Sequence, residues 1–149
     1  VKHEVTAGAC HTGFLESYST IMQCPKCSKA FEKVTFNGVT LHRCIGCLGL
    51  WFDELVKDDL VKMEGAESID IGAEQVDQNY NEVRDIICPA CEHDQQMIPM
   101  VDKDQFHIKY EACPSCYGLF FDAGEFSDLK EHTVVERFRQ MMDTLRSNL

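Results

Sequence analysis

Eight of the nine cysteines stand in four Cys-x-x-Cys pairs: Cys24/Cys27, Cys44/Cys47, Cys88/Cys91 and Cys113/Cys116. A thiolate pair on one tight turn supplies two metal ligands, and two such pairs complete a tetrahedron. Cys27 and Cys44 enclose 16 residues, inside the window that reads as a zinc site. Cys91 and Cys113 enclose 21, slightly beyond it, and the surplus fits a longer hairpin loop around Val101–Gln105. The expected cofactor is therefore Zn2+, two per chain, on Cys24, Cys27, Cys44 and Cys47 and on Cys88, Cys91, Cys113 and Cys116. Four sulfurs fill every position of a zinc ion and leave none for a catalytic water, which argues against a zinc hydrolase.

Two other uses of thiols in this pattern are iron binding and redox exchange. A single iron on each four-sulfur set, held as in rubredoxin, would make the chain an electron carrier. A thioredoxin-like redox pair is weaker, because no βαβ pattern surrounds any of the four motifs. Cys10, followed by His11, reads as an unpaired small hydrophobe in a terminal arm rather than as an extra ligand. His42, His93 and His107 lie near the pairs but find complete cysteine sets there, so they read as surface or supporting residues.

The elements that must bring the sulfurs together are legible in outline. Asn37-Gly38 stands between two β-prone runs, the strongest short hairpin signal, so the chain leaves Cys27, turns, and returns to Cys44. In the second unit Phe106, Ile108 and Tyr110 alternate with polar residues and predict a half-buried strand. Pro99 marks its partner as an edge strand. Each unit then runs into a helix start. Asp53 is an expected N-cap for a helix over Glu54 to Met63, with Leu55, Val56, Leu60 and Met63 at helical spacing. Asp122-Ala123-Gly124-Glu125 resembles a capping box. Trp51 is expected to lie over the first metal site and this helix. Gly65 to Asp85 reads as an acidic connector. Val134, Phe138, Met141, Leu145 and Leu149 form a stripe that either packs back on the ribbons or pairs with a second chain.

The 149 residues carry a formal net charge of -11, or roughly -15 with two four-cysteine zinc sites. That is the wrong sign for a general nucleic-acid binder. Each repeat is too small to bury an adequate core unaided and needs a metal or disulfide staple. The odd cysteine count fits a closed disulfide set poorly. No apolar h-region follows Val1 and no apolar run is long enough to span a membrane. The expectation is a soluble protein of a reducing, cytoplasmic compartment.

The phrase Cys113-Pro114-Ser115-Cys116-Tyr117-Gly118-Leu119-Phe120-Phe121-Asp122-Ala123-Gly124-Glu125-Phe126 resembles the TFIIB-type zinc-ribbon family, also called transcription factor zinc-fingers. The family pattern has two Cys-x-x-Cys knuckles around a hairpin, the second leading into Gly, an aromatic, and Asp-x-Gly-Glu-Leu. The first unit keeps Gly49, Trp51 and Asp53 but has Glu54-Leu55-Val56 in place of x-Gly-Glu. The resemblance implies a small metal-stabilised α+β fold. It consists of two tandem zinc ribbons, each a β-hairpin plus following helix, joined by an acidic linker, with a C-terminal helix. The expected divisions are an arm (1–22), the first ribbon (23–64), the linker (65–85), the second ribbon (86–131) and the C-terminal helix (132–149).

The expected function is a non-enzymatic zinc-binding interaction module, docking a protein in preference to nucleic acid. Binding of nucleic acid through the first ribbon is the alternative, using Lys26, Lys29, Lys33 and Arg43 with Phe31 and Phe36 as stacking platforms. No membrane partner is expected, and the C-terminal stripe offers a route to a homo-oligomer.

Overall fold

A computed structural model describes residues 21–72, 80 and 82–148. Cys10 and His11 lie outside the described residues. The first ribbon contains β1 (Phe31–Phe36), β2 (Val39–Cys44), β3 (Leu50–Phe52) and α1 (Val56–Lys62). A 3-10 turn at Ala66–Ile69 follows. The second contains β4 (Ile98–Val101), β5 (Lys109–Ala112), β6 (Leu119–Phe121) and α2 (Glu125–Ser147). Asn37 and Gly38 both take positive φ, 46° and 82°, which makes the expected tight hairpin between β1 and β2.

The two ribbons are not separate lobes. Their strands form one six-stranded sheet in the order β1-β2-β3-β6-β5-β4. The joint is the antiparallel pair β3/β6, with Trp51 opposite Phe120 and Leu50 opposite Phe121. The unpaired edge of each three-stranded ribbon is thereby covered by the other, which removes two exposed edges at once. Pro99 sits on β4, an outer edge of the sheet, where a missing N–H is tolerated.

Strand alternation sorts the aromatic residues onto two faces. Leu50, Phe52 and Phe121 enter a core with Leu60 of α1 and with Phe126 and Leu129 of α2. There Phe52 meets Phe121 edge-on with ring centroids 5.5 Å apart, and Tyr110 stacks on Phe121 at 4.9 Å. Trp51 and Phe120 point the other way, into a second core that contains cysteines of both metal sets. Trp51 thus covers the metal side as expected. Phe52 takes the helix side, because the two residues are neighbours on a pleated strand.

The helix starts differ from expectation. α1 begins at Val56, after Leu55 in the left-handed conformation with φ 67°, and Asp53 makes no cap. The Asp53 carboxylate instead accepts from Trp51 Nε1 at 3.1 Å. α2 begins at Glu125 after Gly124 with φ 93°, and no capping box forms. Asp122 is occupied by Lys26, and Glu125 accepts from the Lys109 amide. The first turn of α2 is capped from a distance. Asp70 takes the Gly124 amide at 2.9 Å and the Ser127 amide at 3.0 Å. In return Lys130 of α2 donates to the carbonyls of Val61 and Met63 at the end of α1. The stretch read as a solvated connector therefore begins as a clamp, with Ala66, Ile69 and Asp70 buried.

Two further differences follow from local geometry. The strand expected from Phe106 starts at Lys109, because Asp102 accepts from the amides of Asp104 and Gln105 and folds the loop into a turn. Phe106 is exposed as a result. α2 runs unbroken from Glu125 to Ser147; of the expected stripe, Phe138, Met141 and Leu145 are exposed rather than packed on the ribbons, while Leu149 and the side chain of Val134 lie outside the described residues.

Candidate metal centres

Each cysteine pair sits on a tight turn whose backbone hydrogen bonds aim the sulfurs. In the first, the Cys24 amide donates to Lys29 O at 2.8 Å and the Ser28 amide to Cys24 O at 2.9 Å. In the last, the Cys113 amide donates to Gly118 O at 2.9 Å and the Tyr117 amide to Cys113 O at 3.0 Å. Ser28, Leu48 and Tyr117, each just past a pair, take φ of 61°, 61° and 60° to close these turns. Backbone amides also reach the sulfurs: Gly46 N lies 3.3 Å from Cys44 Sγ, and Cys116 N 3.5 Å from Cys113 Sγ. Amides pointed at sulfur favour the thiolate.

The sulfurs converge as two sets of four, all within 4.8 Å of one another in each set. Cys24 and Cys47 are 3.6 Å apart, Cys27 and Cys44 3.3 Å, Cys88 and Cys116 3.6 Å, and Cys91 and Cys113 3.7 Å. These spacings exceed a disulfide bond of about 2.05 Å. They approach the roughly 3.8 Å edge of a tetrahedron with metal–sulfur bonds of about 2.3 Å. The donor set fits a tetrahedral, thiolate-preferring ion at each site. When bound, the ion would cross-link two turns that are otherwise far apart in the chain.

Hydrogen bonding among the sulfurs spreads their acidities. The Cys44–Cys24 contact pushes the Cys24 thiol up and holds Cys44 well below the usual thiol range. In the second set burial pushes Cys88 up. Burial acts the same way on Cys113, but the amides of Cys116 and Ser115 prevail and bring it down to about 7. Cys44 and Cys113 are thus disposed to be thiolates, whereas a metal must displace the protons of Cys24 and Cys88.

The two sites share one core. Trp51 and Phe120 are fully buried among Cys24, Cys44 and Cys47 of the first set and Cys88 and Cys113 of the second. Their packing is reciprocal across the β3/β6 joint. A β-carbon on Gly118 would overlap the Trp51 indole, and one on Gly49 would overlap the Phe120 ring. These two glycines serve close approach between ribbons.

Lys26, in the first knuckle, crosses to the second ribbon. Its side chain is fully buried, with Nζ 2.8 Å from Asp122, 3.0 Å from Glu111 and 5.5 Å from the Phe120 ring centroid. The nucleic-acid patch expected around it does not assemble. Lys26 is internal, and Arg43 is held by Glu32 at 2.9 Å and by Ile69 O at 2.9 Å. Phe31 packs on the metal side and Phe36 on the helix side, while Lys29 and Lys33 are exposed. His93 and His107 are exposed and His42 half-buried, its Nδ1 without a partner. Sequence reasoning missed Glu111 and Asp70. Glu111 looked like the polar half of an alternating strand, and Asp70 like one more acid in an acidic run.

The TFIIB-type zinc-ribbon family, described as a transcription factor zinc-finger, matches residues 23–62 and 87–132. The chain belongs to this family and carries two tandem copies of the ribbon. No curated protein and no solved structure matches it significantly.

Proposed function

We propose that the chain is a non-enzymatic protein in which two zinc ions fold a tandem-ribbon platform for docking another protein. The observation that carries this reading is the closure of both metal sites. Each offers four sulfurs at the margin of a packed core, with Cys27, Cys91 and Cys116 half-buried, and four thiolates fill the tetrahedron of a bound zinc ion and leave no position for water or substrate. Thiolate ligands in a tetrahedral set favour zinc, and its binding stabilises small domains by roughly 10–16 kcal/mol. A role in transcription rests on the family description alone, since a fold does not by itself carry function. The compartment proposed is the cytoplasm, on the grounds of abundant metal-disposed thiols. Among the described residues no helix is long and apolar enough to cross a membrane.

The test is affinity capture from extracts of the source cells, with the zinc-loaded chain and the chelator-stripped chain side by side. The proposal expects a specific protein retained only by the zinc-loaded form. Iron in the protein as purified, or capture of nucleic acid in place of protein, would overturn it.

A further inference from the structure

We propose that the outer half of α2 is a docking face for an acidic amphipathic segment of another protein. The inference rests on the reading of the chain as a binding module and specifies its partner's chemistry. α2 leaves the platform early. Phe126, Leu129 and Lys130 are buried, and beyond Lys130 no described side chain of the helix is. At the base of this outer part the loop before β5 still reaches the helix, through Gln105 donating to Thr133 Oγ1 at 3.4 Å and His107 packing edge-on against His132; from there to Ser147 the helix runs on for about 22 Å.

The projecting part is built for contact. Val135, Phe138, Met141 and Leu145 are 51%, 60%, 52% and 54% exposed. At helical periodicity they share an arc of about 120°, one continuous stripe. Arg137 borders it on one side, and Arg139 and Arg146 on the other. Glu136 and Asp143 fall on the far side of the helix, where they pair with Arg139 at 3.3 Å and Arg146 at 3.9 Å. The local charge is opposite to that of the rest. Residues 133–149 hold three arginines against one glutamate and one aspartate, whereas residues 1–132 hold eleven basic and 23 acidic residues.

That pattern selects the occupant. In a second copy, stripe against stripe, the flanking arginines would face arginines, and both platforms would carry the same acidic charge. An anionic bilayer would bring the acidic platform within a Debye length of about 8–10 Å of a surface of its own sign. A separate amphipathic segment with acidic flanks meets the stripe with apolar residues and the arginines with carboxylates, and its approach is confined to the projecting helix.

The zinc-loaded full chain is titrated, by fluorescence anisotropy, into a synthetic helical peptide with leucines at three- and four-residue spacing and glutamate flanks. A second peptide carries lysines in place of the glutamates. The glutamate peptide should bind at least tenfold more tightly and weaken as salt is raised. The triple variant R137E/R139E/R146E should reverse the preference, and Phe138→Asp should abolish binding of both. Equal binding of the two peptides, binding of neither, capture of phosphatidylglycerol vesicles in their place, or a dimer by sedimentation that Phe138→Asp dissolves would each overturn the proposal. A chain that fails this test but still holds two zinc ions and retains a specific protein from extract leaves the module reading standing.

Discussion

The indole of Trp51, on the last strand of the first ribbon, rests against Gly118 of the second, where any β-carbon would overlap it. Phe120 repeats the relationship in reverse against Gly49. Each ribbon thus completes its metal-side core with an aromatic ring from the other. Gly118→Ala should lower stability by about 1–3 kcal/mol, the usual penalty for overpacking. It should also speed release of both metals, measured with a colorimetric chelator. Faster release from the second site alone would show that the ribbons are energetically independent.

Lys26 makes the same connection with charge. Removing it would leave Glu111 and Asp122 buried without their cation, and breaking such a pair typically costs about 3–5 kcal/mol. Lys26→Met should therefore lower the urea midpoint strongly, while charge reversal of exposed Lys29 and Lys33 leaves it nearly unchanged. Equal, small effects from all three would mean that the buried triad does not form.

Burial raises the Glu111 carboxyl above its ordinary value, only partly offset by Lys26. The folded chain thus binds a proton here that the unfolded chain has already released. Stability from this group falls as pH rises from the ordinary value near 4.3 through the raised one. Glu111→Gln removes the titration. The stability of the natural chain relative to Glu111→Gln should rise as pH is lowered from neutrality through the raised value toward about 4.3, in excess zinc. A relative stability that falls on acidification would reverse the assigned sign.

Asp70 ties the stretch after α1 to the start of α2 by two amide hydrogen bonds. Asp70→Ala should cost about 0.5–2 kcal/mol, as loss of an N-cap does. Amide exchange should quicken at Gly124 and Ser127 without change at the cysteine knuckles. Unchanged exchange at those two amides would show that Asp70 does not clamp the start of α2.

The metal sets and the first hairpin were legible because their signals are local. Cysteine spacing picks out the two sets of four converging sulfurs, and Asn37-Gly38 marks the turn. The β3/β6 joint was not legible, because three-residue strands such as Leu50–Phe52 carry no periodic signal of their own. Their pairing partner lies some seventy residues away. Asp53 and Asp122 misled for a related reason: an aspartate before a helix is a cap unless something stronger takes its carboxylate. Trp51 Nε1 takes the first and Lys26 the second. Asp70 performs the capping from a stretch whose composition resembles a solvated linker, and only the tertiary fold brings it to α2.

Whether two metals fold one shared core is read out by native mass spectrometry of the metal-stripped chain titrated with zinc. Binding should saturate at two zinc ions, with the two-zinc form appearing directly from the free chain and the one-zinc form remaining minor throughout. Accumulation of a stable one-zinc species at one equivalent, or saturation at any other number, would contradict a core folded by two metals together.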